Sequence, residues 1–171
     1  MNRRLRNCLG VACSTATLVA TTTLPASADT TNVTFALTGG ALAVSTQASA
    51  PWGDKGGSGT TTVSGSLGTT ILTDNRGGTA GWSVGAATTA FANGTTNAAS
   101  VSYNSGVPTT TGIVVATSTG PTTLSATPTQ VVAGTVVVGN NTATWTPTLT
   151  VTLPGSSTVG SYTGTITTSV L

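Results

Sequence analysis

The sequence predicts an all-β fold: a single-domain, two-sheet antiparallel β-sandwich of Ig-like or Greek-key type, with about nine to eleven strands. Three observations predict it. First, apolar and hydroxyl residues alternate along much of the chain. Trp145, Leu149, Val151 and Leu153 share one parity, and Thr144, Thr146, Thr148, Thr150 and Thr152 share the other. Side chains alternate faces along a strand, so such a run has one apolar face to bury and one row of hydroxyls to leave wet. Second, threonine fills 42 of 171 positions while charged residues are 5% of the chain; Thr is β-branched and suits a pleated, half-wet surface. Third, no window carries a sustained helical period with caps, and turn residues punctuate the chain every roughly 8–15 residues.

Residues 1–28 read as a signal peptide. Arg3, Arg4 and Arg6 form a basic start, Leu9 to Leu24 is weakly apolar and diluted by threonines, and Ala26-Ser27-Ala28 fits a small-x-small cleavage site ahead of Asp29. A membrane anchor needs about 20 strongly apolar residues, and this run is shorter and rich in threonine. Arg3-Arg4 permits twin-arginine export beside ordinary secretion. Cys13 lacks the large aliphatic residue expected three positions before a lipidated cysteine. Cleavage leaves residues 29–171, a length that suits one domain. Lys55 and Arg76 then stand against Asp29, Asp54 and Asp74, a net charge of −1 where the full chain carries +2. With no cluster of Lys or Arg left, nothing suits a nucleic-acid partner. Cys8 and Cys13 leave with the leader, so no disulfide is expected.

Within residues 29–171, Val33, Phe35 and Leu37 alternate with Thr34, Ala36 and Thr38. They predict a first strand, joined through Gly39-Gly40 to a second with Leu42 and Val44 inward. Ala48 to Gly59 is a Gly-rich loop carrying Trp52, Asp54 and Lys55. Thr60 to Thr73 reads as strand interrupted at Gly65 and Gly68. Asp74-Asn75-Arg76-Gly77-Gly78 is turn chemistry, followed by a strand over Gly81 to Thr88 with Trp82, Val84 and Ala86 on one face. Asn93-Gly94 turns again. Ala99, Val101 and Tyr103 alternate, up to Asn104-Ser105-Gly106. Ile113 to Ala116 is short and apolar, and Leu124 lies in a further short strand. Gln130 to Val138 has valines on both parities, as a strand covered on both sides would. Gly139-Asn140-Asn141 predicts a turn into a closing hairpin of Thr142–Leu153 and Val159–Val170 about Pro154-Gly155-Ser156-Ser157.

Two of these stretches resemble the signatures of the WxL family of bacterial cell-surface domains. Leu72-Thr73-Asp74-Asn75-Arg76-Gly77-Gly78-Thr79-Ala80-Gly81-Trp82-Ser83-Val84 resembles its first signature, a D-x-R-G turn ahead of G-W-x-L. Gly160 to Val170, with Tyr162 and Thr168-Ser169-Val170, resembles the closing G-x-Y-x-x-x-L-T-W-x-L strand. Val84 replaces the family's leucine in the first, and Thr168 its tryptophan in the second. The resemblance spans most of Thr30 to Leu171 and is closest to divergent, actinobacterial-looking secreted members. It implies a secreted, non-enzymatic domain held non-covalently on the cell wall. Its partners would be peptidoglycan or another wall polymer, and possible further surface proteins. It marks Gly81, Trp82, Val84, Tyr162, Thr168 and Val170 as motif positions of structural character.

The residues themselves offer few chemical groups. His and Glu are absent and the carboxylates lie far apart in sequence, so proton transfer, nucleophilic catalysis and metal binding lack their usual side chains. No cofactor is expected. A glycosidase pair of Asp54 and Asp74 is conceivable only if folding brings them within about 5–9.5 Å. Trp52, Asp54 and Lys55 form an aromatic and polar loop suited to carbohydrate or protein contact, or to capping the sandwich edge. Asp74 and Arg76 suit recognition of a peptide carboxylate or amide through Arg's planar fork, or a turn with Arg76 over an aromatic. Trp82 and Trp145 share parity with core residues, which favours burial over ligand stacking. A second reading is a structural module that assembles with other surface proteins through its sheet edges.

Overall fold

The computed structural model describes residues 31–56, 61–94 and 96–171; the leader and cleavage site expected over residues 1–28, with Cys8 and Cys13, lie outside them. The chain divides into two units, Met1–Phe35 and Ala36–Leu171. Of the first unit, the described residues 31–35 form no strand and are exposed.

The second unit is an all-β sandwich-like fold, with ten strands among its described residues: β1 (Leu42–Ser45), β2 (Thr62–Ser66), β3 (Thr70–Asp74), β4 (Trp82–Thr88), β5 (Ser100–Asn104), β6 (Thr109–Ser118), β7 (Thr122–Thr123), β8 (Thr129–Trp145), β9 (Thr148–Thr152) and β10 (Ile166–Val170). The larger sheet runs β1-β3-β8-β4-β10, with β6 also paired to β8; the smaller runs β2-β9-β5-β7. Every pairing is antiparallel, yet no two consecutive strands pair.

That topology overturns both predicted hairpins. The closing segments are strands, but β9 joins the smaller sheet between β2 and β5, while β10 pairs with β4 in the larger. Val33 to Leu37 does not form the first strand, and β1 pairs with β3 instead. The predicted turn at Gly139-Asn140-Asn141 is continuous strand within β8. Alternation reports that a segment is half-buried; it does not report which strand it meets.

Strand β8 organises the larger sheet. Its first half pairs with β4 (Trp82↔Gly134, Val84↔Val132), and its last with β3 (Leu72↔Ala143, Asp74↔Asn141). Strands β3 and β4 therefore follow one another along one edge of β8, and residues 75–81 form an excursion between them. The other edge carries β6, from Thr109↔Thr144 to Ser118↔Val132. Between the two halves β8 bulges, and Val136 takes a φ of 54°, a conformation a β-branched residue rarely adopts.

The sheets exchange strands where β2 passes to β3 and β8 to β9. These crossings lie side by side, with the Leu67 N–H donating to the Pro147 carbonyl at 2.9 Å. Gly68 turns the chain there at a φ of 80°, and a Cβ on it would run into the Gln47 side chain, so glycine meets both demands.

The inner faces meet in one core that includes Leu72, Trp82, Val84, Tyr103, Val131, Val132, Trp145 and Leu149. Tyr103 is fully buried, and its hydroxyl accepts from Trp145 Nε1 at 3.1 Å. Burial pushes its ionisation upward, against the hydrogen bonds from Trp145 and Thr70. Among the described residues no buried side-chain polar atom lacks a partner, as a stable interior requires.

Candidate functional site

Two places gather the residues singled out from the sequence. The first is the excursion between β3 and β4. Asp74 ends β3 and is 1% exposed. Its Oδ1 accepts from Arg76 Nε at 2.9 Å and from the Arg76 backbone N–H at 3.1 Å, and its Oδ2 accepts from the second guanidinium nitrogen at 2.9 Å. This is a two-point fork closed over a single turn. The same guanidinium donates to the carbonyls of Ala80 and Gly81, so Arg76 ties both ends of the excursion together. It is the one ion pair among the described residues.

Asn141, the cross-strand partner of Asp74, extends the network. Its Nδ2 donates to Asp74 Oδ2 at 3.3 Å and to the Gly139 carbonyl at 3.2 Å, while its Oδ1 accepts from Trp82 Nε1 at 3.1 Å. The Trp82 ring lies on Gly134, where a Cβ would collide with it. Arg76, Asp74, Asn141 and Trp82 thus bridge the break where β8 changes partners. Hydrogen bonding from Arg76 is the main cause holding the Asp74 carboxyl below its usual range, with Asn141 adding to it and burial opposing. The fork in turn raises the Arg76 guanidinium. Val84 is buried in the core, and Val170 of β10 is its neighbour in the sheet.

The second place is a cleft of about 1170 Å³ between the loop over 46–56 and the segment over 157–165. Trp52 forms one wall. Its indole lies across Gly65 of β2, its Nε1 donates to the Ser66 carbonyl at 2.9 Å, and it remains partly exposed. Phe91 lies in the same manner on Gly164, and Tyr162 stands nearby with its hydroxyl donating to the Thr158 carbonyl at 3.0 Å. Asp54 and Lys55 are exposed at the cleft, and Thr168 of β10 reaches it from the larger sheet. Trp52, Asp54, Lys55, Tyr162 and Thr168 therefore line one concavity, which combines partly open aromatic faces with two opposite charges.

Asp74 is not among the lining residues of this cleft, and its carboxylate is committed to Arg76 and Asn141, so Asp54 and Asp74 do not face one cavity. Among the described residues no three His, Cys, Asp or Glu side chains gather as a metal site, and no helix is long and apolar enough to cross a membrane.

Asn141 and Gly134 escape a reading of the sequence, although a signal for Asn141 exists. It shares parity with Ala143 and Trp145, and an amide on a core-facing parity is a buried polar group in need of partners. No protein-family model, curated protein or solved structure matches the chain.

Proposed function

We propose that this chain is a secreted, WxL-like, non-enzymatic cell-surface domain that binds a cell-wall polymer, peptidoglycan foremost, in the cleft between the 46–56 loop and the 157–165 segment. The observation that carries the reading is the lining of that cleft: Trp52 and Tyr162 are only partly buried, with Asp54 and Lys55 exposed beside them. Aromatic faces pack against the apolar faces of sugar rings, and flanking charged groups bond hydroxyls or stem-peptide amides. Where the WxL pattern has a tryptophan, Thr168 contributes a small side chain and leaves space in the cleft. The Asp74–Arg76 fork has the role of holding the excursion closed, which frames the fold and keeps Arg76 from a ligand.

Sedimentation with purified, insoluble peptidoglycan tests the proposal. The protein is expected in the pellet. Trp52→Ala should weaken binding about 10-fold or more, the scale of losing one aromatic contact, and Thr168→Trp should do the same by filling the cleft. Full recovery of the unaltered protein in the supernatant, or binding indifferent to both substitutions, would overturn the reading.

A further inference from the structure

The larger sheet has one long open edge. Strand β7 has two residues, and β1 and β10 approach one another. Strand β6 has ten residues, and among the described residues only β8 pairs with it. The extra residues of its two register shifts lie on β8, and Gly112, with a φ of 80°, breaks the edge just ahead of Ile113–Ser118. It carries no charge and no proline, two of the devices that usually block a free edge. Ile113 is 58% exposed, and Val115, Val136 and Val138 beside it are 50%, 69% and 49% exposed.

Among the described residues, no strand pairs with the strand-like segment over residues 31–38. Val33, Phe35 and Leu37 alternate with Thr34, Ala36 and Thr38, are uncharged, and are 81%, 84% and 91% exposed. Its alternation suits an edge whose outer face is apolar. We infer that residues 31–38 of one copy add as a strand to the β6 edge of a second copy, packing Val33, Phe35 and Leu37 beside Ile113 and Val115.

The occupant is a second copy because the chain's own edge is out of reach. The base of the segment is fixed where the Gly40 N–H donates to the Asn75 carbonyl at 2.7 Å, on the β1 side of β3. From there to the open side of β6 is four strand spacings, about 19 Å at about 4.8 Å each. Eight residues span at most about 28 Å, so crossing the sheet uses most of the segment and leaves too little to pair. Donation between copies carries no such constraint. Donor and acceptor are different surfaces, so donation either closes reciprocally between two copies or continues head-to-tail. This inference stands apart from wall binding, which uses the cleft.

Light scattering coupled to size-exclusion chromatography tests it on the purified protein over about two decades of concentration. The mass-average is expected to climb to at least about twice that of the monomer. Phe35→Asp removes the donor and Val115→Lys the acceptor. Both positions are half or more exposed, so each variant should keep the parent's circular dichroism and melting temperature while running as a monomer. Mixed together, the two variants should form a one-to-one dimer, because each retains the surface the other lacks. A parent that stays monomeric throughout, assembly that survives either substitution, or a mixture that stays monomeric would each overturn the inference.

Discussion

Removing either half of the Asp74–Arg76 fork should destabilise the fold, and the more exposed half should cost more. In Asp74→Ala, Arg76 loses its fork and Asn141 loses one acceptor, but the Arg76 side chain is 32% exposed and can take up water. Hydrogen bonds to charged groups contribute about 1.5–3 kcal/mol each, and partial rehydration recovers some of that. The expected loss is about 2–3 kcal/mol. In Arg76→Met, the carboxylate left behind is only 2% exposed and has no counter-charge, a loss of about 3–5 kcal/mol. Removing both groups in Asp74→Asn/Arg76→Met should recover part of it, because no buried charge then remains. Urea unfolding at neutral pH followed by tryptophan fluorescence reads all three, since Trp82 and Trp145 are buried. The pH dependence carries the same logic. The folded pKa of Asp74 is depressed, chiefly by Arg76, so its stabilisation is present above the unfolded value of about 3.9 and is lost as pH falls through the folded value. Asp74→Asn should flatten that acid limb. If Arg76→Met is no worse than Asp74→Ala, or if both lie within about 0.5 kcal/mol of the parent, the network does not hold the excursion and this reasoning fails.

Three further outcomes follow from the same geometry. Gly134→Ala places a methyl in the Trp82 ring and should cost about 1–3 kcal/mol by overpacking, with partial rescue by Trp82→Leu; an unchanged denaturation midpoint refutes the contact. Val136→Gly should be neutral or stabilising by about 1 kcal/mol, because relief of a positive φ, about 1–2 kcal/mol, exceeds the entropy glycine adds to the unfolded chain; clear destabilisation in a thermal melt would count against it. Because no consecutive strands pair, refolding after a stopped-flow dilution from urea should take milliseconds to seconds or longer, and microsecond folding would contradict the pairing.

Much of the fold was legible, and its failures share one cause. Segments over β3, β4, β5 and β9 are recognisable from alternation and turn residues, because burial on one face leaves a period of two in the sequence. Trp82 and Trp145 are assignable to the core from parity alone. The hairpins failed because turn residues and alternation say nothing of partner choice. Pro154-Gly155-Ser156-Ser157 turns the chain away from β9 into the other sheet rather than back along it. Val33 to Leu37 shows the converse: a sound strand pattern finds no partner strand among the described residues. The interruptions at Gly65 and Gly68 were visible, but their reasons were not. Gly65 makes room for Trp52, and Gly68 makes the crossing between sheets beside Gln47.

The candidate site divides in the same way. Asp74-Asn75-Arg76-Gly77 reads as a turn from local chemistry, and a turn it is, because its fork closes over two residues. That it bridges two collinear strands rather than a hairpin depends on Asn141 and Trp82, which are 67 and 59 residues apart from their partners in the chain. The cleft joins Trp52 to Tyr162 and Thr168, segments more than a hundred positions distant.

By itself the sequence determined the class of the fold, because one-sided burial writes a period of two into threonine and valine, and it determined the poverty of reactive groups, because those are a matter of composition. Only the tertiary structure decided which strands meet, which carboxylate is committed to an ion pair and which aromatics share a cleft. Pairing and proximity are set by the fit of whole faces between segments distant in the chain, and no local pattern carries that information.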